Sequence, residues 1–127
     1  MSLLLCQKKC HTEKLRWLLY IHVYTLGAMQ EIRFTWRRAK AAGNLRKHGL
    51  SFDLAARAFF DPHLLVVEDC IDERGEMRYH AIGYCDTRTL TVVVFVDRST
   101  DDQEILHIIS ARKADKYEQA AYSDQFA

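Results

Sequence analysis

Five stretches of the chain have the alternation or the composition that is typical of β-strands. In the first, residues 31–36, apolar Ile, Phe and Trp alternate with polar residues, as in a half-buried strand. The other four are residues 64–68, 77–85, 90–97 and 104–110, which are rich in Val, Ile, Leu, Tyr and Phe and are separated by short polar turns. Turns this short join antiparallel neighbours, since a parallel crossover needs about a dozen residues or more.

Three helices are predicted around these strands. Residues 37–48 are rich in Ala, Arg, Lys and Leu and end at Gly49, a typical C-terminal cap. Ser51 is a typical N-cap for a second helix, in which apolar residues recur at helical spacing. Asp115 begins a capping box, which predicts a third helix through Tyr122. The order β-α-α-β-β-β-β-α predicts an α+β domain, with two N-terminal helices and one C-terminal helix packed on an antiparallel sheet.

The first predicted helix carries a stripe of cationic and polar side chains, although the net charge of the chain is only +1. Residues 32–52 contain no acid. The residues that share one helix face, three or four positions apart, are Arg37, Lys40, Asn44, Lys47 and His48. Such a stripe suits phosphate, and a histidine there can exchange protons near neutral pH. A solvated helix face, with His48 as a simple C-terminal cap, is the alternative.

Three more cations lie where strands meet loops. Arg78 belongs to the second of the four apolar stretches, and Arg112 and Lys113 follow the last one. Functional side chains are common beside loops. These arginines can equally be ion-pair partners of Asp61, Glu68 or Glu76.

Several motifs occur in the order and spacing of one known family, and the chain resembles the BrnT toxins. The first motif is Trp36…Lys40…Asn44-Leu-Arg-Lys47-His48-Gly49, followed by a Phe-containing helix that ends at Asp61-Pro62. Downstream come Glu76-x-Arg78-x3-Ile82-Gly83, Ile108-Ile109-Ser110-Ala111-Arg112-Lys113-Ala114 and later Tyr122. The resemblance covers nearly all of the chain after Met29.

This resemblance implies a RelE-like fold and a ribonuclease that suppresses translation. It also implies a BrnA-type ribbon-helix-helix antitoxin, which would neutralise the toxin and through which alone the complex would contact operator DNA. The positions that match the motifs are Lys40, Asn44, Lys47, His48, Arg78, Arg112 and Tyr122. Two positions depart from the pattern. Arg37 stands where an acid or Asn usually follows the Trp, and His107 stands where an arginine commonly precedes Ile-Ile-Ser-Ala-Arg, which predicts altered activity or pH dependence.

Cleavage of RNA by its own 2′-OH needs a base, charge stabilisation at phosphorus and a proton for the leaving oxygen, but no metal or other cofactor. We expect Arg78 and Arg112 to stabilise the charge, and Lys47 and His48 to complete the catalytic set. His48 or a lysine of lowered pKa would move protons. The expected RNA-binding residues are Arg37, Lys40, Asn44, Lys113 and Tyr122, the last by stacking or hydrogen bonding.

Residues 1–28 differ from the domain that follows. They carry four Lys/Arg against one acid, and their apolar part is shorter than the roughly 20 residues that span a bilayer. Because the recognisable domain starts directly after Met29, we interpret 1–28 as a dispensable N-terminal extension and 29–127 as the toxin domain. The four cysteines form no disulfide framework, and Cys6, Cys10 and His11 lack a second pair of metal ligands. A cytoplasmic protein without membrane contact is expected.

Two other functions are compatible with the same residues. A metal-dependent nuclease would use Asp61, Glu68, Asp69 and Asp72, but most of these fall in one polar turn, whereas metal catalysis needs carboxylates that converge. A non-enzymatic interaction subunit, or an inactive toxin, would use the basic stripe to bind an antitoxin and assist operon repression.

Overall fold

In a computed structural model of the protein, residues 31–126 are described. The prediction that residues 1–28 form a dispensable extension falls outside this range, so it stays a prediction. None of the helices within residues 31–126 is long and apolar enough to cross a membrane.

The elements follow the predicted order β-α-α-β-β-β-β-α, so the α+β class is confirmed. Their bounds are β1 Ile32–Thr35, α1 Arg38–His48, α2 Phe52–Ala56 with a 3₁₀ turn Arg57–Phe60, β2 Leu65–Ile71, β3 Met77–Tyr84, β4 Leu90–Asp97, β5 Glu104–Lys113, α3 Lys116–Ser123 and a final 3₁₀ turn Asp124–Phe126. Strand β5 extends three residues beyond the prediction, because Ala111, Arg112 and Lys113 still pair with β4.

Local signals fix the helix ends as the sequence indicates. Gly49 adopts the left-handed conformation at φ 67°, which closes α1. The hydroxyl of Ser51 accepts a hydrogen bond from the backbone N–H of Leu54 at the start of α2. Asp115 and Glu118 form both hydrogen bonds of the capping box that begins α3.

The five strands form one mixed sheet in the order β1-β5-β4-β3-β2. Strands β2 to β5 are antiparallel, as predicted, but β1 runs parallel to β5, which corrects the expectation of a wholly antiparallel sheet. The physical reason is the connection: two helices separate β1 from β2, so no hairpin forces β1 to run antiparallel to its neighbour. Its parallel register still brings Phe34 beside Leu106 of the core.

One face of the sheet, here called the covered face, lies under α1 and α2. Its core includes Phe52 and Phe59 from the helical segment and Val93, Phe95 and Leu106 from the strands. Aromatic rings meet edge to face in this core, with the Phe59 and Phe95 centroids 5.0 Å apart.

Helix α1 follows β1 in the chain and lies along the same edge of β5. The side-chain amide of Asn44 donates to the carbonyl oxygen of Ala111 at 2.8 Å, and its oxygen accepts from the N–H of Ala111 at 3.1 Å. Asn44 thereby bonds the edge of β5 as a neighbouring strand would, and this contact holds α1 beside the sheet.

Helix α3 packs on the opposite face but covers only one end of it. Tyr122 and Ala114 pack there with Leu65, Ile82 and Val92. We call the uncovered remainder of this side the open face, and it is the part of the fold that positions the candidate site.

Candidate active site

A groove of about 520 Å³ lies on the open face, between the β2–β3 hairpin, strand β5 and the N-terminal end of α1. Its apolar floor includes Val96 and Ile109. Its walls carry five Lys/Arg side chains, four carboxylates and one histidine: Arg37, Lys40, Arg74, Arg78 and Arg98; Asp69, Asp72, Glu73 and Glu76; and His107. This mixture of charges is suited to a polar anionic ligand only where cations remain unpaired.

Four residues form one row across the strands that make this floor, here called the cross-strand row. Thr35 pairs with His107, His107 with Val96, and Val96 with Arg78. Paired residues point to the same side of a sheet, and neighbouring strands are about 4.8 Å apart. The Cα atoms of Arg78 and His107 are therefore about 10 Å apart, with one valine between them.

Arg78 keeps most of its donors available. Its Nε donates to Asp72 Oδ2 at 3.4 Å, and within residues 31–126 its two terminal nitrogens make no hydrogen bond. The carboxylate of Asp72 mainly stabilises the turn between β2 and β3, where its Oδ1 accepts two backbone hydrogen bonds. Hydrogen bonds from the backbone N–H groups of Glu76 and Arg74 are among the causes that hold its pKa below the usual value.

Arg98, by contrast, is paired. Its guanidinium donates two hydrogen bonds to the carboxylate of Glu76, at 3.0 and 2.9 Å, and these bonds hold the pKa of Glu76 below its usual value. No carboxylate of the described residues pairs with Arg37 or Lys40, both of which are exposed. The cationic donors of the groove that no carboxylate engages in residues 31–126 are therefore those of Arg37, Lys40 and Arg74 and the terminal nitrogens of Arg78.

His107 stands between the cations of this groove. Its Nδ1 is 2.9 Å from the hydroxyl oxygen of Thr35. Burial lowers the pKa of the imidazole below its usual value, and the positive charge of Arg98 adds to that effect. Both effects favour the uncharged form of the ring near neutral pH.

The structure brings together three of the residues that the sequence singled out, namely Arg37, Lys40 and Arg78. Asn44 is buried and bonded to β5 and to Leu50, so it fixes α1. Lys47 lies about 10 Å further along the helix axis than Lys40, and both Lys47 and His48 lie outside the groove.

The other three predicted residues lie near α3. Arg112 donates two hydrogen bonds of 2.7 Å to Glu118. Tyr122 is 6% exposed and donates to Asp61 Oδ2 at 2.7 Å, and burial together with this contact raises the pKa of its hydroxyl. Lys113 and Tyr122 line a second groove of about 340 Å³, together with Arg88.

Two polar contacts of the open face were missed from sequence. Thr35 was taken only as a solvent-facing strand residue, and His80, whose Nε2 is 3.3 Å from Asp69 Oδ2, was not considered. Counting alternate residues from Arg78 along its strand places His80 on the same side, so the signal was present. His107 was noted only as a departure from a motif.

The carboxylates of the metal-dependent alternative do not converge. Asp61 belongs to the Tyr122 contact, Glu68 lies on the covered face beside Tyr79, and Asp69 and Asp72 line the groove. Among residues 31–126, no group of three or more His, Cys, Asp or Glu side chains is placed to hold a metal ion.

Comparison with known proteins gives one family. The family model described as the ribonuclease toxin BrnT of type II toxin-antitoxin systems matches residues 36–118, more than half of the chain. The crystal structure of the Brucella abortus ribonuclease toxin BrnT is similar at 23% sequence identity with a TM-score of 0.48, covering 68% of this chain and 100% of that one. The comparison with curated proteins finds no match. The family match confirms the resemblance that the motifs indicated.

Proposed function

This chain belongs to the BrnT family, the ribonuclease toxins of type II toxin-antitoxin systems, and from that premise we propose that it is a metal-independent endoribonuclease that acts in the groove of the open face. The observation that carries the proposal is the set of unpaired cations there. Arg37, Lys40 and the terminal nitrogens of Arg78 surround a space large enough for a phosphodiester and its sugars.

Arg78 is the residue we assign to charge stabilisation. When a 2′-oxygen attacks phosphorus, two negative charges accumulate on the non-bridging oxygens, and a guanidinium offers paired N–H donors in the plane that such oxygens need. Only its Nε is engaged, by a contact of 3.4 Å to Asp72, so the side chain can turn its other donors to a phosphate.

Arg37 and Lys40 would hold the flanking backbone. Both are exposed at the rim of the groove, where a bound strand would pass. They lie on different elements from Arg78, so a strand that contacts all three crosses the groove rather than following one helix.

This reaction needs no metal, because arginine and lysine side chains would stabilise the negative charge on the phosphate oxygens. Two of the four carboxylates in the groove are already engaged, Glu76 by Arg98 and Asp72 by backbone amides. We further propose that the partner is a BrnA-type ribbon-helix-helix antitoxin, that operator DNA is contacted only through it, and that the pair acts in the cytoplasm to control translation.

The test is cleavage of a short RNA by the purified full-length protein in the presence of EDTA. We expect a new 2′,3′-cyclic phosphate end and a new 5′-hydroxyl end, and no cleavage when a single 2′-deoxy nucleotide replaces the one at the cut site. Adding the antitoxin should stop the reaction. Cleavage that vanishes in EDTA would contradict the metal-free mechanism. No cleavage under any condition, with antitoxin binding intact, would favour the interaction-subunit alternative.

A further inference from the structure

We propose that His107 is the general base of RNA cleavage in this protein, with Thr35 as the residue that positions its ring. The inference rests on the proposed function and adds the group that removes the proton from the attacking 2′-OH, which sequence analysis had assigned to His48 or a lysine.

The first argument is position. His107 is the only histidine among the residues that line the groove in the described part of the chain. It shares the cross-strand row with Arg78, and only Val96 stands between them. A phosphate held by Arg78 above Val96 would place its neighbouring ribose beside the imidazole. His48, at the far end of α1, has no such partner in the groove.

The second argument is the orientation of the ring. Nδ1 lies 2.9 Å from the Thr35 hydroxyl oxygen, on the side of His107 that faces away from Val96. When Nδ1–H donates to that oxygen, Nε2 carries the lone pair, and no residue of the 31–126 range hydrogen-bonds to Nε2. A base needs this tautomer and a free second nitrogen.

The third argument is the charge state, which follows from all the groups around the ring. On β1 the same side carries Arg33 and Thr35, α1 contributes Arg37 and Lys40, and Arg98 follows β4. The β2–β3 hairpin contributes the carboxylates Asp69, Asp72, Glu73 and Glu76 and the cations Arg74 and Arg78. Burial and the positive charges of Arg98, Arg37 and Arg74 lower the pKa of the imidazole, and Glu76 only partly opposes them. Such surroundings favour a neutral base over an imidazolium that would bind phosphate.

The step balances with RNA and water alone. His107 Nε2 takes the proton of the 2′-OH while the 2′-oxygen forms a bond to phosphorus. The P–O5′ bond breaks, its electron pair stays on the 5′-oxygen, and water at the mouth of the groove protonates that oxygen. The products are a 2′,3′-cyclic phosphate and a 5′-hydroxyl, and the imidazolium gives its proton to the hydroxide left by that water, which restores the neutral base.

The deciding variant is His107→Arg, which places a cation at this position but removes the base. Single-turnover cleavage of the same RNA in EDTA is measured across pH for wild type, His107→Arg and His107→Gln. In wild type the rate should rise with pH to a plateau, with a midpoint below about 6.5, the ordinary value for histidine. In both variants the plateau rate should fall about 10²–10⁴-fold. The rise of the rate with pH on the acidic side of the plateau, here called the acidic limb, should disappear.

Matched controls separate this loss from unfolding and from weaker binding. His63→Gln changes an exposed histidine outside the groove and should keep both the rate and the limb. His107→Gln should bind the 2′-deoxy RNA nearly as tightly as wild type does. Its lower cleavage rate would then come from the chemical step and not from weaker binding. Thr35→Ser should keep the wild-type profile. Thr35→Val should lower the plateau rate and shift the midpoint.

The outcomes distinguish this inference from the function on which it rests. If wild type cleaves and His107→Arg retains the rate and the acidic limb, then His107 is a phosphate-binding or structural position, and the inference is wrong while the function stands. If folded wild type does not cleave RNA, both fall. If His107→Arg does not fold, His107→Gln decides whether His107 is the base: loss of the acidic limb in this variant supports the inference, and its retention contradicts it.

Discussion

Arg78 and Arg112 make a useful comparison, because the motifs predict the same role for both and the structure places them in different surroundings. Their side chains are equally exposed, 38% and 37%, and both lie on the side of the sheet opposite α1. Arg78 makes one contact of 3.4 Å and stands in the groove. Arg112 makes two hydrogen bonds of 2.7 Å to Glu118, the residue that closes the capping box of α3. Exposure therefore does not distinguish the two arginines, whereas the state of their donors does, and our proposal rests on that difference.

The same contrast, between engaged and available polar groups, separates the end of the sheet that α3 covers from the end that carries the groove. At the α3 end, polar groups are satisfied within the protein, and Asp61 accepts from the Tyr122 hydroxyl and from the N–H groups of His63 and Tyr84. At the groove end, Arg37 and Lys40 have no carboxylate partner in the described part of the chain. One region holds the fold together, and the other is available to a ligand.

The largest expected effect tests the difference between Arg78 and Arg112 directly. Arg78→Ala should lower the single-turnover cleavage rate about 10²–10³-fold, as the loss of one oxyanion donor does elsewhere. Arg112→Ala should cleave nearly as fast as wild type, because its donors are engaged by Glu118. Thermal unfolding of both variants serves as the control for folding. Equal losses of activity would mean that the two arginines share one site.

The next effect concerns stability at the α3 end. Asp61→Ala leaves the buried Tyr122 hydroxyl and two backbone N–H groups without their acceptor, so the free energy of unfolding should fall by about 2–4 kcal/mol. Urea unfolding measures it. Asp86→Ala is the matched control, because Asp86 also accepts from two backbone N–H groups but lies exposed in a turn, and its loss should be smaller.

Acid should weaken the α3 end through Glu118. Burial alone would raise the pKa of this carboxyl, but hydrogen bonds from Arg112 and from the N–H of Asp115 outweigh it and hold the pKa below 4.5. Its contribution to stability is therefore complete above about pH 4.5 and is lost as the pH falls through the lowered native value. The contribution is about 1 kcal/mol or less, since Arg112 is partly exposed. Urea unfolding of wild type and Glu118→Gln should differ at pH 7 and converge near pH 3, and a constant difference would contradict this origin.

The smallest effect is on the salt dependence of RNA binding. Removing one phosphate contact from a single strand makes the slope of log affinity against log salt shallower by about 0.7. Lys40→Ala should show this change with 2′-deoxy RNA. Lys116→Ala, an exposed lysine at the start of α3, should leave the slope unchanged. A change in the second variant instead of the first would move the binding surface to α3.

Most of the fold was predictable, because its signals are local. The capping box at Asp115, the cap at Gly49 and the short turns between strands each act within a few residues. The parallel pairing of β1 was not predictable in this way. It depends on how Phe34 meets Leu106 across more than seventy residues of chain.

The site was predictable only in part, for a related reason. The helical stripe grouped Arg37 with Lys40, which line the same groove, but it also included Asn44, whose side-chain amide hydrogen-bonds to the edge of β5. Side-chain periodicity shows which residues share a face of one element, and it does not show what lies against that face. The cross-strand row needs the register of four strands, which no single stretch of sequence contains.

The position of bound RNA tests the assignment of the groove most directly. Amide NMR resonances of the full-length protein are assigned and then followed during titration with a short RNA made uncleavable by 2′-deoxy substitution. We predict that the largest shifts fall on Thr35, Val96, His107 and Arg78, and that Arg112 and Tyr122 barely change. Shifts concentrated around Lys113 and Tyr122, with none along the cross-strand row, would show that the groove does not hold the RNA.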